Sequence, residues 1–242
     1  MREVFVIFRR EFKSYFASPI AFVFGALFLL VVGYLSYSLD PNQAASMQGF
    51  FTWLPVLFAI FLPALSMRLW AEERKLGTLE LLLTFPVTVK QLIAGKFLAA
   101  LTYLVLLLLL TLPYPIVLSI YGNLDWGPVV LGYVGSVFLA AVYVAVGMLF
   151  SSLTREQIVA WLLGLVMLLA LTVIGIGAIQ IRFSDVVPAW LIAFFSAISP
   201  FTYFSSITRG VLDTRDVIYF VLFCGLFLYA NALVLQAKRL KG

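Results

Sequence analysis

Apolar and polar positions alternate along this 242-residue chain in long blocks. Seven stretches of 21 to 29 residues contain no charged residue, and they are 14–39, 41–67, 97–124, 126–154, 157–181, 186–208 and 217–237. A helix needs about 20 mostly apolar residues to cross the hydrocarbon core of a bilayer. The pattern therefore predicts an all-α integral membrane protein with at most seven spans.

The stretch 186–208 is the weakest of these candidates. Pro188 and Pro200 bracket an apolar run of 11 residues, which as a helix is about 16 Å long, half the thickness of the core. The residues that follow Pro200 are too polar to face lipid. We expect a pair of short re-entrant or interfacial helices on the extracellular side. The alternative is a true seventh span.

With six spans, both chain termini lie on the same side of the membrane. Thirteen of the 16 Lys and Arg residues then fall on that side, which the positive-inside rule makes the cytoplasm. Seven spans would divide them 12 to 4, so the count predicts orientation but hardly tests the number of spans. The expected spans of this single domain, 1–242, are 18–39, 50–69, 92–119, 127–150, 157–181 and 217–237.

The first 17 residues predict an amphipathic elbow helix on the cytoplasmic leaflet. Four phenylalanines recur at spacings of three and four and share one face, while the basic residues lie elsewhere on the helix. The residues of this interfacial helix are Phe5, Phe8, Arg9, Arg10, Phe12, Lys13 and Phe16. Ser18-Pro19 is typical of an N-cap followed by a first-turn proline, which starts the first span in a new direction. The alternative is one long tilted helix.

Charge is concentrated in the cytoplasmic segment 70–91 and just before it. Six of residues 67–86 are charged, against 11% of the whole chain. Gly77 is a natural helix stop, and Thr78 is a natural N-cap for a short helix that ends before proline. The pattern of Thr88 and Gln91 fits a capping box for the third span. A short helix between two spans suits docking to a soluble partner, and an ordinary capped loop is the alternative.

Composition narrows the possible functions. The chain is 64% hydrophobic with a net charge of +5, but its basic residues sit between apolar runs, which excludes a nucleic-acid binder. The lack of histidine and the single Cys224 leave few means for enzyme chemistry on lipid. No span has an ionisable residue at its centre, which argues against ion-coupled transport. The chain also lacks the Gly-x-x-x-x-Gly-Lys-Ser/Thr motif of an ATP site, since Gly95-Lys96 is followed by Phe97.

Two further patterns concern the spans themselves. Tryptophans near span ends are expected to be membrane-interface anchors, and they are Trp53, Trp70, Trp126 and Trp190. Small residues in the fourth span are expected to allow close helix packing, and they are Gly132, Ser136, Ala140 and Ala141.

The segment after the second span resembles the signature of the permease subunits of type-2 ABC exporters. The matching run is Glu72-Glu73-Arg74-Lys75-x-Gly77-Thr78-Leu79-Glu80-Leu81-Leu82-x-x-x-Pro86. The stretches 12–20 and 151–160, the length and the six-span count agree, so the resemblance covers essentially the whole chain. Within these permeases it is most similar to the gliding-motility-associated, GldF-like subgroup.

This resemblance implies a role for each cytoplasmic segment. The run quoted above, residues 72–86, would be the coupling segment that contacts an ATPase subunit. A second, smaller contact is implied at Thr154, Arg155, Glu156 and Gln157. The amphipathic start matches the elbow helix of these permeases, and 186–208 matches their extracellular re-entrant helices.

The resemblance also implies partners and a location. Two permease copies, expected to be a homodimer rather than a heterodimer, would form the path, and each would bind one ABC ATPase subunit. ATP and Mg²⁺ would sit on that ATPase, with no cofactor on this non-enzymatic chain. An accessory membrane protein with a large extracytoplasmic domain would be a third partner. We thus expect a multi-pass exporter permease of a bacterial-type inner cell membrane, the alternative being an ATP-independent channel or secondary transporter.

Overall fold

The computed structural model describes residues 2–38, 46–78, 87–176 and 188–239, and within these ranges the chain is helical and has no strand. The helices are α1 (Arg2–Ala17), α2 (Pro19–Ser38), α3 (Gln48–Ser66), α4 (Arg68–Lys75), α5 (Val89–Leu109), α6 (Pro113–Tyr121), α7 (Trp126–Leu153), α8 (Gln157–Ile174), α9 (Ala189–Ile198), α10 (Pro200–Ile207) and α11 (Thr214–Arg239). The predicted all-α class is confirmed.

Five helical segments are long and apolar enough to cross a membrane. They are Gln48–Lys75, Val89–Ile120, Trp126–Leu153, Gln157–Ile174 and Thr214–Ala237. Two bent pairs raise the number to seven if each pair is counted as one span. The first pair is α1 with α2, bent by 70°, which favours an elbow over one long tilted helix. The second is α9 with α10, bent by 69°, and it supplies the two short helices expected within 186–208.

Helix bounds differ from the expected spans at three places. The expected boundary between 50–69 and 70–91 falls inside α4, which begins at Arg68 directly after the membrane helix. The span expected over 92–119 is interrupted between α5 and α6, because Pro113 has no N–H to continue the helical ladder. The span expected over 157–181 ends as a helix at Ile174, and residues 177–181 lie outside the described ranges.

Helix α7 is the centre of the bundle. It packs against α3, α4, α5, α8, α10 and α11, and every residue of the stretch 142–148 is buried. Glycines permit this closeness: a Cβ at Gly132 would overlap the ring of Phe51, and one at Gly147 would overlap Ser66 Oγ. Ser136 and Ala140 are fully buried on the same helix. The predicted close packing of small residues is confirmed for these positions.

Candidate functional site

The charged helix α4 is held at its start by a side chain from α7. The backbone N–H groups of Trp70 and Ala71 both donate to Ser151 Oγ at 3.1 Å, and Ser151 Oγ donates to the carbonyl of Met67 at 2.7 Å. The first N–H groups of a helix have no partner within it, so a hydroxyl often supplies one. Here the hydroxyl comes from a fully buried residue of another helix. It therefore fixes the start of α4 to α7.

The end of α4 is set by local sequence. Gly77 has a φ of +70°, a left-handed conformation that glycine adopts without the cost of a Cβ clash. Its N–H donates to the carbonyl of Arg74 at 3.3 Å, and Thr78 Oγ1 donates to the carbonyl of Glu73 at 3.3 Å. The predicted helix stop at Gly77 is confirmed. The remaining predicted coupling residues, Leu79, Glu80, Leu81, Leu82 and Pro86, lie outside the described residues.

The next helix begins as predicted. Gln91 N–H donates to Thr88 Oγ1 at 3.3 Å, and Thr88 N–H donates to Gln91 Oε1 at 2.9 Å. This reciprocal pair is a capping box at the start of α5. The described residues on either side of 79–86 therefore include a helix stop at Gly77 and a helix start at Thr88.

Three charged side chains meet where α1, α4 and α5 come together, and we call Glu11, Glu73 and Lys96 the ion cluster. Lys96 Nζ lies 2.7 Å from Glu73 Oε1 and 3.0 Å from Glu11 Oε1. The Lys96 side chain is only 2% exposed, and its ammonium lies 5.0 Å from the centroid of the Trp70 ring. The cluster thus joins the N-terminal helix, the charged helix and a membrane helix at a single point.

The environment of the ion cluster makes it sensitive to any single loss. A buried charge that loses its partner costs about 3–5 kcal/mol, since the charge left behind has neither water nor a counter-ion. Five of the eight residues of α4 are charged, so this helix lies outside the hydrocarbon. Burial raises the pKa of Glu73 above its ordinary value, and the ammonium of Lys96 opposes that shift. Glu73 therefore depends on Lys96 to remain charged.

Sequence reasoning missed this cluster and misassigned Trp70. That tryptophan was expected to anchor the membrane interface, but it is fully buried beneath Lys96, so the expectation was wrong for this residue. In the sequence, Lys96 is one of the basic residues of the cytoplasmic side and part of the incomplete motif Gly95-Lys96-Phe97. Two features of the sequence point to the cluster: Glu11 is acidic within a basic helix, and Lys96 directly precedes a long uncharged stretch.

Helix α1 lies along α5 through residues spaced four apart. Gln91 Nε2 donates to Glu3 Oε2 at 2.6 Å, and a Cβ added to Gly95 would lie 2.7 Å from Ile7 Cγ2. Further along, Glu11 binds Lys96, and the ring of Tyr15 stacks on that of Tyr103 with centroids 5.1 Å apart. The repeat 3, 7, 11, 15 could have been found in the sequence, because residues four apart share a helix face.

The expected phenylalanine row lies beside this contact. Successive rings of Phe5, Phe8, Phe12 and Phe16 have centroids 6.1, 5.6 and 5.2 Å apart. Phe5 and Phe16 are exposed, as are Arg9, Arg10 and Lys13. The shared face is confirmed, and α1 has a second face that is committed to α5.

The two predicted cytoplasmic contacts are neighbours in the fold. Arg74 Nη1 donates to the carbonyl of Ser152 at 3.1 Å. Lys75 Nζ lies 3.4 Å from Glu156 Oε2, with side chains 59% and 62% exposed. Thr154 Oγ1 accepts from the N–H of Glu156 at 2.9 Å, which shapes the turn. We call the residues of this combined area the α4 surface: Glu72, Arg74, Lys75, Thr154, Arg155, Glu156 and Gln157.

A cleft of about 370 Å³ lies between α1 and α4 beside the ion cluster. Arg68 lines this cleft. Its Nε lies 3.1 Å from Glu72 Oε2, and its Nη1 donates to Ser18 Oγ. Ser18 is the buried residue at the bend between α1 and α2. A movement of α4 would therefore displace the bend between α1 and α2 as well as α5 and α7.

Together, the fold and this site define a multi-pass helical membrane protein with a charged helix fixed to one end of its bundle. The chain matches the family model described as "ABC-2 family transporter protein" over residues 5–237. Because the match covers nearly its whole length, the chain belongs to the ABC-2 transporter family and is a membrane permease of the ABC transporter class. Permeases of this family generally work with an ABC ATPase partner. No curated protein matches the chain.

Proposed function

We propose that this chain is the permease of an ATP-driven exporter and that its ABC ATPase docks on the α4 surface. The observation that carries this proposal is the attachment of α4. It continues a membrane helix at one end and is tied to α1, α5 and α7 by the ion cluster and Ser151. A force applied to a helix held in this way is passed to the bundle as a rigid-body movement.

The proposed topology has six spans with both termini in the cytoplasm. Helix α2, which is 20 residues long and contains no charged residue, is taken as the first span, and α1 would lie on the cytoplasmic leaflet. The bent pair α9 and α10 is re-entrant, because neither helix is long enough to cross the core. The α4 end is cytoplasmic because the basic residues are concentrated there.

The source of energy is proposed to be a separate subunit. Lys96 is the eighth residue of α5, which puts it about 10 Å from the helix start, and both of its partners come from helices outside the spans. That position supports a structural tie between elements rather than a mid-membrane ion relay. ATP and Mg²⁺ would bind to the ATPase subunit, and two permease copies would form the path.

The narrower assignment rests on the run from Glu72 to Pro86. It supports the gliding-motility-associated, GldF-like subgroup and a bacterial inner membrane. An accessory membrane protein with a large extracytoplasmic domain would then complete the assembly.

Docking can be tested by removing exposed charges that do not hold the fold together. The double variant Lys75→Ala with Glu156→Ala truncates the most exposed ion pair of the α4 surface. We expect it to reduce both co-purification of an ABC ATPase and ATP hydrolysis by the complex in nanodiscs. Arg215→Ala is the control, because this exposed arginine lies at the start of α11, at the other end of the bundle.

Equal ATPase association and turnover in the double variant and the control would show that the docking site is wrong. If the intact chain never retains an ATPase, the ATP-independent channel or secondary transporter becomes the better assignment.

A further inference from the structure

A polar cavity of about 440 Å³ lies at the end of the bundle opposite α4. Helix α3 begins at this cavity with Gln48 and ends next to α4, so its 19 residues separate the two ends by about 28 Å. Seven of its nine described lining residues are polar and none is acidic. We call it the hydroxyl pocket, after Thr52, Thr202, Ser205 and Thr208.

The walls of the hydroxyl pocket are anchored by contacts between helices. Ser199 Oγ donates to the carbonyl of Leu171 at 2.6 Å and accepts from Phe201 N–H at 3.3 Å. This fixes the corner between α9 and α10 to the end of α8. The ring of Tyr203 stacks on that of Tyr219 with centroids 3.9 Å apart, which holds α10 to α11. The pocket is therefore formed before any ligand binds.

Most hydroxyl groups of the pocket can still accept hydrogen bonds. Thr52, Ser205 and Thr208 each donate to a carbonyl of their own helix, at 2.7, 2.8 and 3.1 Å. A hydroxyl that has donated keeps acceptor lone pairs. Buried Thr202 Oγ1 has no hydrogen-bond partner among the described residues. The pocket thus offers several acceptors to a ligand that carries hydroxyl groups.

Arg209 adds one positive charge to these acceptors. It lines the pocket and forms no ion pair with any residue in the described part of the chain. A guanidinium group binds phosphate or carboxylate with paired hydrogen bonds. A ligand that matches both features is an anion with several hydroxyl groups.

The position of the pocket favours a ligand that is part of an amphiphile. Trp53, Trp126 and Trp190 are 43%, 46% and 70% exposed at this end of the bundle, and exposed tryptophans mark the headgroup level of a membrane. Thr52, which lines the pocket, directly precedes Trp53. The pocket therefore lies where the headgroups of lipids lie.

We propose that the hydroxyl pocket binds the polyhydroxylated phosphate headgroup of an amphiphile, with Arg209 pairing with the phosphate and the pocket oxygens accepting the headgroup hydroxyls. This goes beyond the proposed function and stands apart from it, because binding requires neither ATP nor an ATPase.

Three lipids with the same acyl chains separate the two recognition features. Native mass spectrometry of the detergent-solubilised chain would compare phosphatidylglycerol, phosphatidylpropanol and diacylglycerol. Phosphatidylpropanol retains the phosphate but lacks headgroup hydroxyls, and diacylglycerol lacks the phosphate. We expect affinity to fall in that order. Competition by soluble glycerophosphoglycerol would show that the headgroup suffices, while binding of the lipid alone would show that the acyl chains are needed as well.

Two variants, each with a matched control, test whether Arg209 binds the phosphate and whether Ser205 binds a headgroup hydroxyl. Arg209→Gln should weaken phosphatidylglycerol binding about tenfold, as loss of a charge-assisted hydrogen bond predicts. Arg215→Gln, an exposed arginine outside the pocket, should not. Ser205→Ala should reduce binding of phosphatidylglycerol but not of phosphatidylpropanol. Its control is Ser119→Ala, whose hydroxyl also bonds to its own helix.

The proposal is overturned if the wild type binds phosphatidylglycerol no better than phosphatidylpropanol. It is also overturned if Arg209→Gln and Arg215→Gln lose the same affinity. Thermal unfolding of each variant checks its fold, and if Arg209→Gln does not fold, the Ser205→Ala comparison decides.

Discussion

The two ends of the bundle use their polar groups in opposite ways. At the α4 end, charges pair with charges on other elements: Glu73 with Lys96 of α5, and Lys75 with Glu156 in the turn before α8. In the hydroxyl pocket, Thr52, Ser205 and Thr208 bond to their own helices, and Arg209 has no ion-pair partner among the described residues.

This difference corresponds to the two proposed roles, which are transmission of a movement at the α4 end and ligand binding at the opposite end. Bonds between elements fix their relative positions, so the α4 end can pass on a displacement without deforming. Bonds within one helix leave lone pairs and a charge available, so the opposite end keeps bonding capacity for a ligand. Removing a polar side chain should therefore lower stability far more at the α4 end, where it breaks a bond between elements, than in the hydroxyl pocket.

The largest loss is expected for Lys96→Met. It leaves Glu11 and Glu73, whose side chains are 17% and 13% exposed, without their counter-ion, and loss of a buried partner costs about 3–5 kcal/mol. The free energy of unfolding in mixed micelles measures this loss. Lys75→Met removes a lysine from an exposed pair and should cost under about 1 kcal/mol. Equal losses in the two variants would show that the ion cluster contributes no more than a surface pair.

Gly95→Leu should come second because it separates α1 from α5. Even a Cβ at Gly95 would lie 2.8 Å from Ile7 Cβ and 3.2 Å from the Val4 carbonyl. Forcing in a larger side chain costs about 1–3 kcal/mol. Gly33→Leu is the control, since nothing lies within 4 Å of the corresponding Cβ. The thermal unfolding midpoint should fall for the first variant only, and an unchanged midpoint for Gly95→Leu would contradict the close packing of α1.

Ser151→Ala should have a smaller effect, by loosening α4 from α7. Its hydroxyl caps two N–H groups at the start of α4, and loss of such a cap costs about 1–2 kcal/mol. Amide hydrogen exchange of residues 68–75 should rise. Ser119→Ala, in α6, removes an exposed hydroxyl and should leave exchange in α4 unchanged. Unaltered protection of α4 in Ser151→Ala would mean that another contact fixes this helix.

Thr202→Val should change stability least. Its buried hydroxyl has no hydrogen-bond partner in the part of the chain that the structure describes, so an apolar group of similar shape should lose no bond on folding. We expect an unfolding free energy equal to or slightly above that of the wild type. A clear loss of stability would place Thr202 among the structural hydroxyls, with Ser151, and would weaken the contrast between the two ends.

Features that depend on near neighbours in sequence were predictable. The helix stop at Gly77 and the capping box of Thr88 and Gln91 involve residues at most three apart. The phenylalanine row of α1 follows from helical periodicity alone. Each of these needs only the propensities of one short segment, and each is present in the structure.

The core of the candidate site was not predictable in the same way. Lys96 meets partners 85 and 23 residues away, and Ser151 caps a helix 81 residues away. The charged run Glu72–Lys75 indicates that this segment lies outside the bilayer. It does not indicate which of the four side chains is buried against other helices. Glu73 is nearly buried while Lys75 is exposed, and only the packing of α1 and α5 against α4 separates them.

By itself, the sequence determined a helical membrane protein with charge concentrated at one end, because a bilayer requires long apolar helices and excludes unpaired charge. The tertiary structure decided which charges pair, which hydroxyls cap and which remain open to a ligand. Those choices depend on distances between helices that are far apart in the chain, and such distances exist only once the helices have packed.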